Sequence, residues 1–309
     1  MSNYEVIIVG GGPAGLSAAL VLSRARRRVL VMDTGEPRNA PAAHLHGFLS
    51  RDGMPPGELL ATGRNEVEAY GGEILNATVS DLVQCGKSSF SVLLADGRRM
   101  TARRLLIATG LNDELPDIPG LQDRWARDVL HCPYCHGYEV RDQALGVIGG
   151  SPDAVRYAQI VRQWSDDVVL FTPTDSLSID QRSQLVARSI GIVEGTPERV
   201  LVENHHLSGV RMEDGRVIPR TALFVPPRFV PNNHLLLRLG CETDGDGWPV
   251  KDSQGLSSVP GVWVAGNVAN PRAQVITAAG EGSASAIAIN ADLVAEDIRI
   301  AMEAFALGH

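Results

Sequence analysis

The sequence predicts an α/β chain of two domains, each a largely parallel sheet covered by helices. Three observations predict it. A length of 309 residues gives two domains at roughly 150 residues each. The composition is rich in glycine (32 residues) and poor in aromatics (5%), which suits many tight strand-to-helix turns. Short apolar runs at 5–9, 104–107 and 262–264 read as buried strands, and each leads into a glycine turn.

Charge and cysteine usage exclude several classes. The net charge of −8 argues against nucleic acid or an anionic membrane surface as the main partner. The one basic cluster, Arg24, Arg26, Arg27 and Arg28, reads as a solvated helix end. No run of 18 apolar residues predicts a membrane span. The first residues carry no basic n-region, so a cytoplasmic location is expected. Four cysteines do not make a secreted disulfide framework. Cys132 and Cys135 form a C-x-x-C; Cys85 and Cys241 stand apart and read as inert core residues.

The first element is strand 5–9, followed by Gly10-Gly11-Gly12-Pro13-Ala14-Gly15 and a helical run through Leu22. A second strand, Val29-Leu30-Val31-Met32, ends on Asp33. This is G-x-G-x-x-G in the setting that gives it meaning: strand, turn, helix, strand, acid. Gly10 allows the tight turn, Gly12 lets backbone approach a pyrophosphate, and Gly15 lets helix pack on strand. The helix N-terminus offers free N–H groups to phosphates, and Asp33 can accept from ribose hydroxyls. A Rossmann-like dinucleotide site follows.

Two later segments complete the pattern. One strand ends in Ala108-Thr109-Gly110. Another, Val262-Trp263-Val264, runs into Gly266-Asn267-Val268 and a helix from Gln274-Val275 to Gly282. Together these resemble the flavoprotein disulfide reductases over residues 4–300. The resemblance implies FAD in the first site. It implies contacts from Gly10, Gly12, Pro13, Ala14, Gly15, Asp33, Thr34, Arg38, Asn39, His46, Val79, Ala108, Thr109, Gly110, Gly266, Asn267, Gln274 and Val275. The family carries Gly-Asp where this chain has Gly266-Asn267; an amide still bonds a hydroxyl but removes a negative charge.

The segment His131-Cys132-Pro133-Tyr134-Cys135-His136-Gly137-Tyr138-Glu139 carries the chemistry. Three readings compete: two ordinary thiols, a zinc site, or a redox-active dithiol. Zinc needs four ligands, and no second C-x-x-C or H-x-x-H supplies them. Flanking imidazoles can stabilise a thiolate, which favours the dithiol beside a dinucleotide site. His131 and His136 are candidate bases, since the reference histidine pKa suits proton transfer at neutral pH.

The pair follows Gly120, in the second domain, as in the low-molecular-weight thioredoxin reductases. That resemblance implies two Rossmann-like, three-layer domains: an FAD domain of 1–115 plus 244–309, and an inserted NADP-like domain, 116–243, bearing the C-x-x-C. It also implies a homodimer, Cys135 against the flavin, and Cys132 exchanging with substrate. Those reductases place an acid after the second cysteine, where this chain has His136.

The electron-donor site departs further. In Gly149-Gly150-Ser151-Pro152-Asp153-Ala154 the middle glycine is Ser151, and Asp153 places a carboxylate at a helix start, where it repels phosphate. NADP sites put arginines after the next strand, but no Lys or Arg lies between Phe171 and Gln181. Each missing charge-assisted bond is worth roughly 1.5–3 kcal/mol. NADP binding is therefore doubtful. The segments 37–39 and 46–53, the redox box and Gly266-Asn267-Val268 look like the flavin-dependent dithiol oxidases of disulfide natural-product biosynthesis, of gliotoxin and holomycin type. That resemblance implies oxidation of a small dithiol, with dioxygen taking the electrons to give hydrogen peroxide. The alternatives are a disulfide reductase fed by NADPH or ferredoxin, and a flavin-binding redox sensor.

Overall fold

The computed structural model describes residues 4–86, 89–150 and 153–307. Packing divides the chain into two units. Unit one holds residues 1–40, 48–112 and 230–309; unit two holds 41–47 and 113–229.

Unit one begins with β1 (Tyr4–Val9), α1 (Pro13–Arg24), β2 (Val29–Asp33), α2 (Pro56–Ala69), β3 (Glu73–Asn76), β4 (Val79–Gln84), β5 (Phe90–Leu94) and β6 (Arg99–Ile107). The main sheet runs β3-β2-β1-β6-β5-β4. β1 lies parallel between β2 and β6, with Ile8 opposite Val31 on one side and Leu106 on the other. Its Val6, Ile7 and Ile8 are fully buried, which explains the unbroken apolar run: a parallel strand is covered on both faces.

The chain leaves unit one within β7 (Leu111–Glu114). Unit two then contains β8 (Val129–Leu130), α3 (Pro133–His136), β9 (Leu145–Ile148), α4 (Ala154–Val161), β10 (Val168–Thr172), α5 (Ile179–Ala187) and β11 (Gly191–Glu194). β12 (Pro197–Glu203), β13 (His206–Met212), β14 (Val217–Pro219) and β15 (Ala222–Phe224) follow, and β16 (Arg228–Pro231) carries the chain back. Its parallel sheet has the order β11-β10-β9-β15-β8; β12, β13 and β14 form a separate antiparallel sheet. Both units thus carry the parallel nucleotide-binding topology that the sequence predicts.

Unit one resumes with α6 (His234–Arg238), β17 (Val262–Val264) and α7 (Val275–Leu307). β6 is long enough to pair with β5 through its first half and with β17 through Leu105–Ile107.

The structure differs from four expectations. The chain rejoins unit one at Val230 rather than 244, because Leu235, Leu236 and Cys241 are buried in the same cluster as Ile7, Val9 and Ile107. Residues 41–47 pack with unit two although they lie far upstream. Arg27 is not a solvated helix end. Its Nη1 donates to Glu5 at 2.7 Å and Asp297 at 2.9 Å, within a network that also takes in Arg103, Arg104 and the buried Glu296. Of the two lone cysteines, Cys241 is buried as expected but Cys85 is exposed, since it follows β4 at the sheet edge. No helix among the described residues is long and apolar enough to cross a membrane.

Candidate active site

Unit one builds a phosphate cradle from backbone. Gly10 has φ of +108°, and a Cβ there would stand 2.3 Å from the Ala108 carbonyl oxygen. A Cβ on Gly15 would stand 1.9 Å from the Gly10 carbonyl oxygen. Both glycines are therefore required by close approach. Gly12 differs: a Cβ there meets open space, on the side that α1 leaves without a side-chain cap. A pyrophosphate fits such a position, facing a helix N-terminus with no acid in its first turn. Pro13 opens the helix at its first position, where its missing N–H costs nothing.

Asp33 ends β2 and accepts from the Gly11 N–H and from Arg64 Nη2, each at 3.0 Å. Arg64, on α2, was not apparent in the sequence. Thr34 is exposed just beyond Asp33, and Arg38 and Asn39 are half-buried in the turn that follows. Val79 is buried and pairs with Leu94, so it offers a site only its backbone. Thr109 and Gly110 are fixed by Asn232. Thr109 Oγ1 donates to the Asn232 carbonyl at 2.7 Å, and the Asn232 side chain donates to the Thr109 carbonyl at 2.9 Å.

Asn267 has a specific job. Its amide nitrogen donates to the carbonyls of Asn270 at 2.9 Å and Ala273 at 3.0 Å, while its oxygen faces Arg38 Nη1 at 3.4 Å. A carboxylate has no hydrogen to donate to two carbonyls, so the amide is what this loop accommodates. Glu281 of α7 completes the turn, accepting from the Gly266 N–H at 2.9 Å and Asn270 Nδ2 at 2.6 Å. Gln274 and Val275 stand at the start of α7, whose first turn carries no acid.

Unit two holds the redox box. Cys132 and Cys135 are joined in a disulfide at the start of α3, with Cα atoms 5.2 Å apart. Pro133 occupies the first helical position and is buried; Tyr134 is exposed and meets Trp164 edge-on at 5.5 Å. Gly137 is packed so closely that a Cβ would stand 2.5 Å from the Pro133 carbonyl oxygen.

The two candidate bases part company. His131 stacks on Trp125 at 5.6 Å and meets Phe229 edge-on at 6.1 Å, while its carbonyl accepts from the Tyr157 hydroxyl. Burial pushes the Tyr157 phenol well above its ordinary value. His136 instead lines a cavity of about 150 Å³ with His44, His46, Arg127 and Glu139. His46 Nε2 lies 3.5 Å from Glu139 Oε1. Burial pushes the His136 imidazole below its ordinary value; Glu139 pulls it up and His46 pushes it down. The net effect is downward, which favours the neutral imidazole over the charged one.

The second fingerprint is partly kept. A Cβ on Gly149 would stand 2.4 Å from the Phe171 carbonyl oxygen, so the tight turn survives. Ala154 is buried at the close-packing position. Ser151 and Pro152 lie outside the described residues. Beyond β10, Thr172 Oγ1 meets Ser176 Oγ at 2.6 Å, and Arg182 is engaged with Glu194.

With this geometry in hand, the comparisons decide the family. The family described as pyridine nucleotide-disulphide oxidoreductase matches residues 4–282. The chain belongs to that family. Thioredoxin reductase sirT of Leptosphaeria maculans is 29% identical over 317 residues, covering 96% of each chain. The crystal structure of HlmI is 53% identical, with a TM-score of 0.95, covering 98% of this chain and 96% of that one. A thioredoxin reductase TrxB structure from Bacillus anthracis is 32% identical, with a TM-score of 0.90, covering 95% and 99%. This pyridine nucleotide-disulphide oxidoreductase is therefore thioredoxin reductase-like, with two Rossmann-like domains and a Cys132–Cys135 disulfide. Such flavoproteins act on disulfides, and they are typically FAD-dependent.

Proposed function

We propose that this protein is an FAD-dependent oxidase of a small-molecule dithiol, forming an intramolecular disulfide with dioxygen as final electron acceptor. The observation that carries the reading is the contrast between the two nucleotide folds. Unit one keeps the close approaches of a dinucleotide cradle at Gly10 and Gly15, whereas in unit two no Lys or Arg lies between Phe171 and Gln181, and the arginines further on, Arg182 and Arg216, are engaged with Glu194 and Asp214. The likeness to HlmI and sirT, and the Cys-Pro-Tyr-Cys-His box, support the same reading.

FAD in the unit-one cradle supplies acceptance of an electron pair and its delivery to dioxygen, which yields hydrogen peroxide. Gly12 and the α1 N-terminus would hold its pyrophosphate, Asp33 its ribose, the Asn267 loop its ribityl chain, and the start of α7 its pyrimidine ring. The chain's own sulfurs do the thiol chemistry. One substrate thiolate attacks Cys132, the Cys132–Cys135 bond breaks, and Cys135 leaves as thiolate. The second substrate thiol attacks the mixed disulfide, releasing product and the reduced pair. His136 takes the proton of the incoming thiol. A homodimer is part of this reading, supported by the exposed Ile287, Val294, Ile298, Met302 and Phe305 on α7.

The test is anaerobic mixing of the holoenzyme with dithiothreitol or with NADPH, following loss of the flavin absorption band. Dithiothreitol is expected to bleach it and NADPH to fail. Bleaching by NADPH as fast as by dithiol overturns the reading in favour of an NADPH-dependent disulfide reductase, which the surviving Gly149 turn would serve.

A further inference from the structure

The cavity beside the redox disulfide holds more titratable groups than one general base needs. His44 and His46 come from the 41–47 segment, Arg127 from the loop before β8, and His136 and Glu139 from α3 and the turn after it. Glu139 follows His136 by three residues, in the turn after α3, and both side chains line the same cavity. His46 lies 90 residues upstream of His136 in the chain, yet its Nε2 is 3.5 Å from Glu139. Arg127 adds a fixed positive charge to the wall, and His44 stands with its ring 6.4 Å from that of His46.

We propose that His46, Glu139 and His136 form a proton relay, with His46 a positioning residue that holds Glu139 beside the base. The inference rests on the dithiol oxidase reading and adds the fate of the protons to it. Oxidation of one dithiol breaks two S–H bonds and the Cys132–Cys135 bond, and forms one product S–S bond. The electron pair then resides on the two enzyme sulfurs, and two protons must be placed. His136 accepts the first and passes it to the Glu139 carboxylate that His46 positions, which frees His136 to accept the second. Both protons leave with the electron pair when dioxygen becomes hydrogen peroxide. A single isolated imidazole would have to shed its proton to water between the two attacks. The relay also gives His46 a task in unit two, where the family resemblance alone assigns it to the flavin.

The test uses the holoenzyme with ring-labelled histidine, titrated by NMR, alongside the pH profile of flavin bleaching by dithiothreitol. Glu139→Gln removes a negative charge and is expected to lower the His136 midpoint. His46→Asn removes a competing positive charge and is expected to raise it. The acid limb of the bleaching profile is expected to follow, moving to lower pH in Glu139→Gln and to higher pH in His46→Asn. Midpoints that stay fixed, or that move in the same direction, overturn the relay. If dithiothreitol does not bleach the wild-type flavin at all, the oxidase reading falls, and the imidazole titration alone decides whether the three groups are coupled. A merely structural His46 would change melting temperature and leave the His136 titration where it was.

Discussion

Gly282 of α7 lies directly against Ala14 of α1: a Cβ built on Gly282 would stand 2.0 Å from the Ala14 carbonyl oxygen. Gly266, with φ of +75°, closes on the same residue, 2.9 Å from the Ala14 side chain. The phosphate-facing turn of α1 is thereby set by two glycines more than 250 residues downstream. Gly282→Ala is expected to force the helices apart, lowering stability by roughly 1–3 kcal/mol and weakening FAD retention. Thermal unfolding and the flavin content of purified protein check this.

Asn267→Asp restores the residue that the wider family carries, yet it is expected to be harmful here. The substitution replaces one NH2 group, which donates to both the Asn270 and Ala273 carbonyls, by one carboxylate oxygen facing them. Unsatisfied and repelling acceptors cost roughly 1–3 kcal/mol. The expected result is a several-fold to hundredfold weaker affinity for FAD, measured by fluorescence titration of the apoprotein.

Cys135→Ser and Cys132→Ser are each expected to abolish flavin bleaching by dithiothreitol while the folded holoenzyme keeps its yellow colour. His136→Gln is expected to keep the reaction but slow it by roughly 10²–10⁴, the range of a lost general base. Stopped-flow absorbance separates the two outcomes.

Acid should weaken unit one through its ion-pair network. Burial works to raise the Glu5 and Asp297 carboxyls, but hydrogen bonds from Arg28, Arg27 and Arg103 outweigh it and hold both below their ordinary values. Carboxylates with depressed folded values stabilise above their unfolded pKa, and that stability is lost as pH falls through the folded value. Melting temperature is therefore expected to hold above the ordinary carboxylate range and to fall below it. Glu296→Ala leaves Arg103 and the buried Arg104 without a carboxylate they share. Breaking such a pair is expected to cost roughly 3 kcal/mol at neutral pH.

The row on α7 predicts assembly. Ile298→Glu places a charge in the middle of Ile287, Val294, Met302 and Phe305 and is expected to shift the protein from dimer to monomer in sedimentation velocity. A wild-type protein that sediments as a monomer would overturn the proposed homodimer, and an unchanged coefficient in the variant would overturn this row as its contact.

The first nucleotide fold was legible because its determinants are local: strand, glycines, helix and acid lie within 30 residues, and Gly10 and Gly15 each answer a specific close approach. The redox box was legible for the same reason. The domain return at Val230 was not, because the apolar run of α6 has the same composition whichever core it joins. Nor was the pairing of His46 with Glu139, which depends on a seven-residue segment crossing to a unit formed 66 residues later. Asn267 looked like a weakened flavin contact; only the positions of two carbonyls show that the amide is the group the loop requires.

The stretch beyond β10, with no Lys or Arg between Phe171 and Gln181, bears on the direction of flux. A thioredoxin reductase is tied to the cellular NADPH/NADP ratio, and its disulfide sits where that ratio sets it. On the proposed function, the stretch after β10, with no Lys or Arg between Phe171 and Gln181, cuts this tie, leaving the Cys132–Cys135 couple answerable to thiol supply at one end and oxygen tension at the other. Such a catalyst works as a one-way valve: it goes on closing disulfides in a cell whose nicotinamide pool is fully reduced.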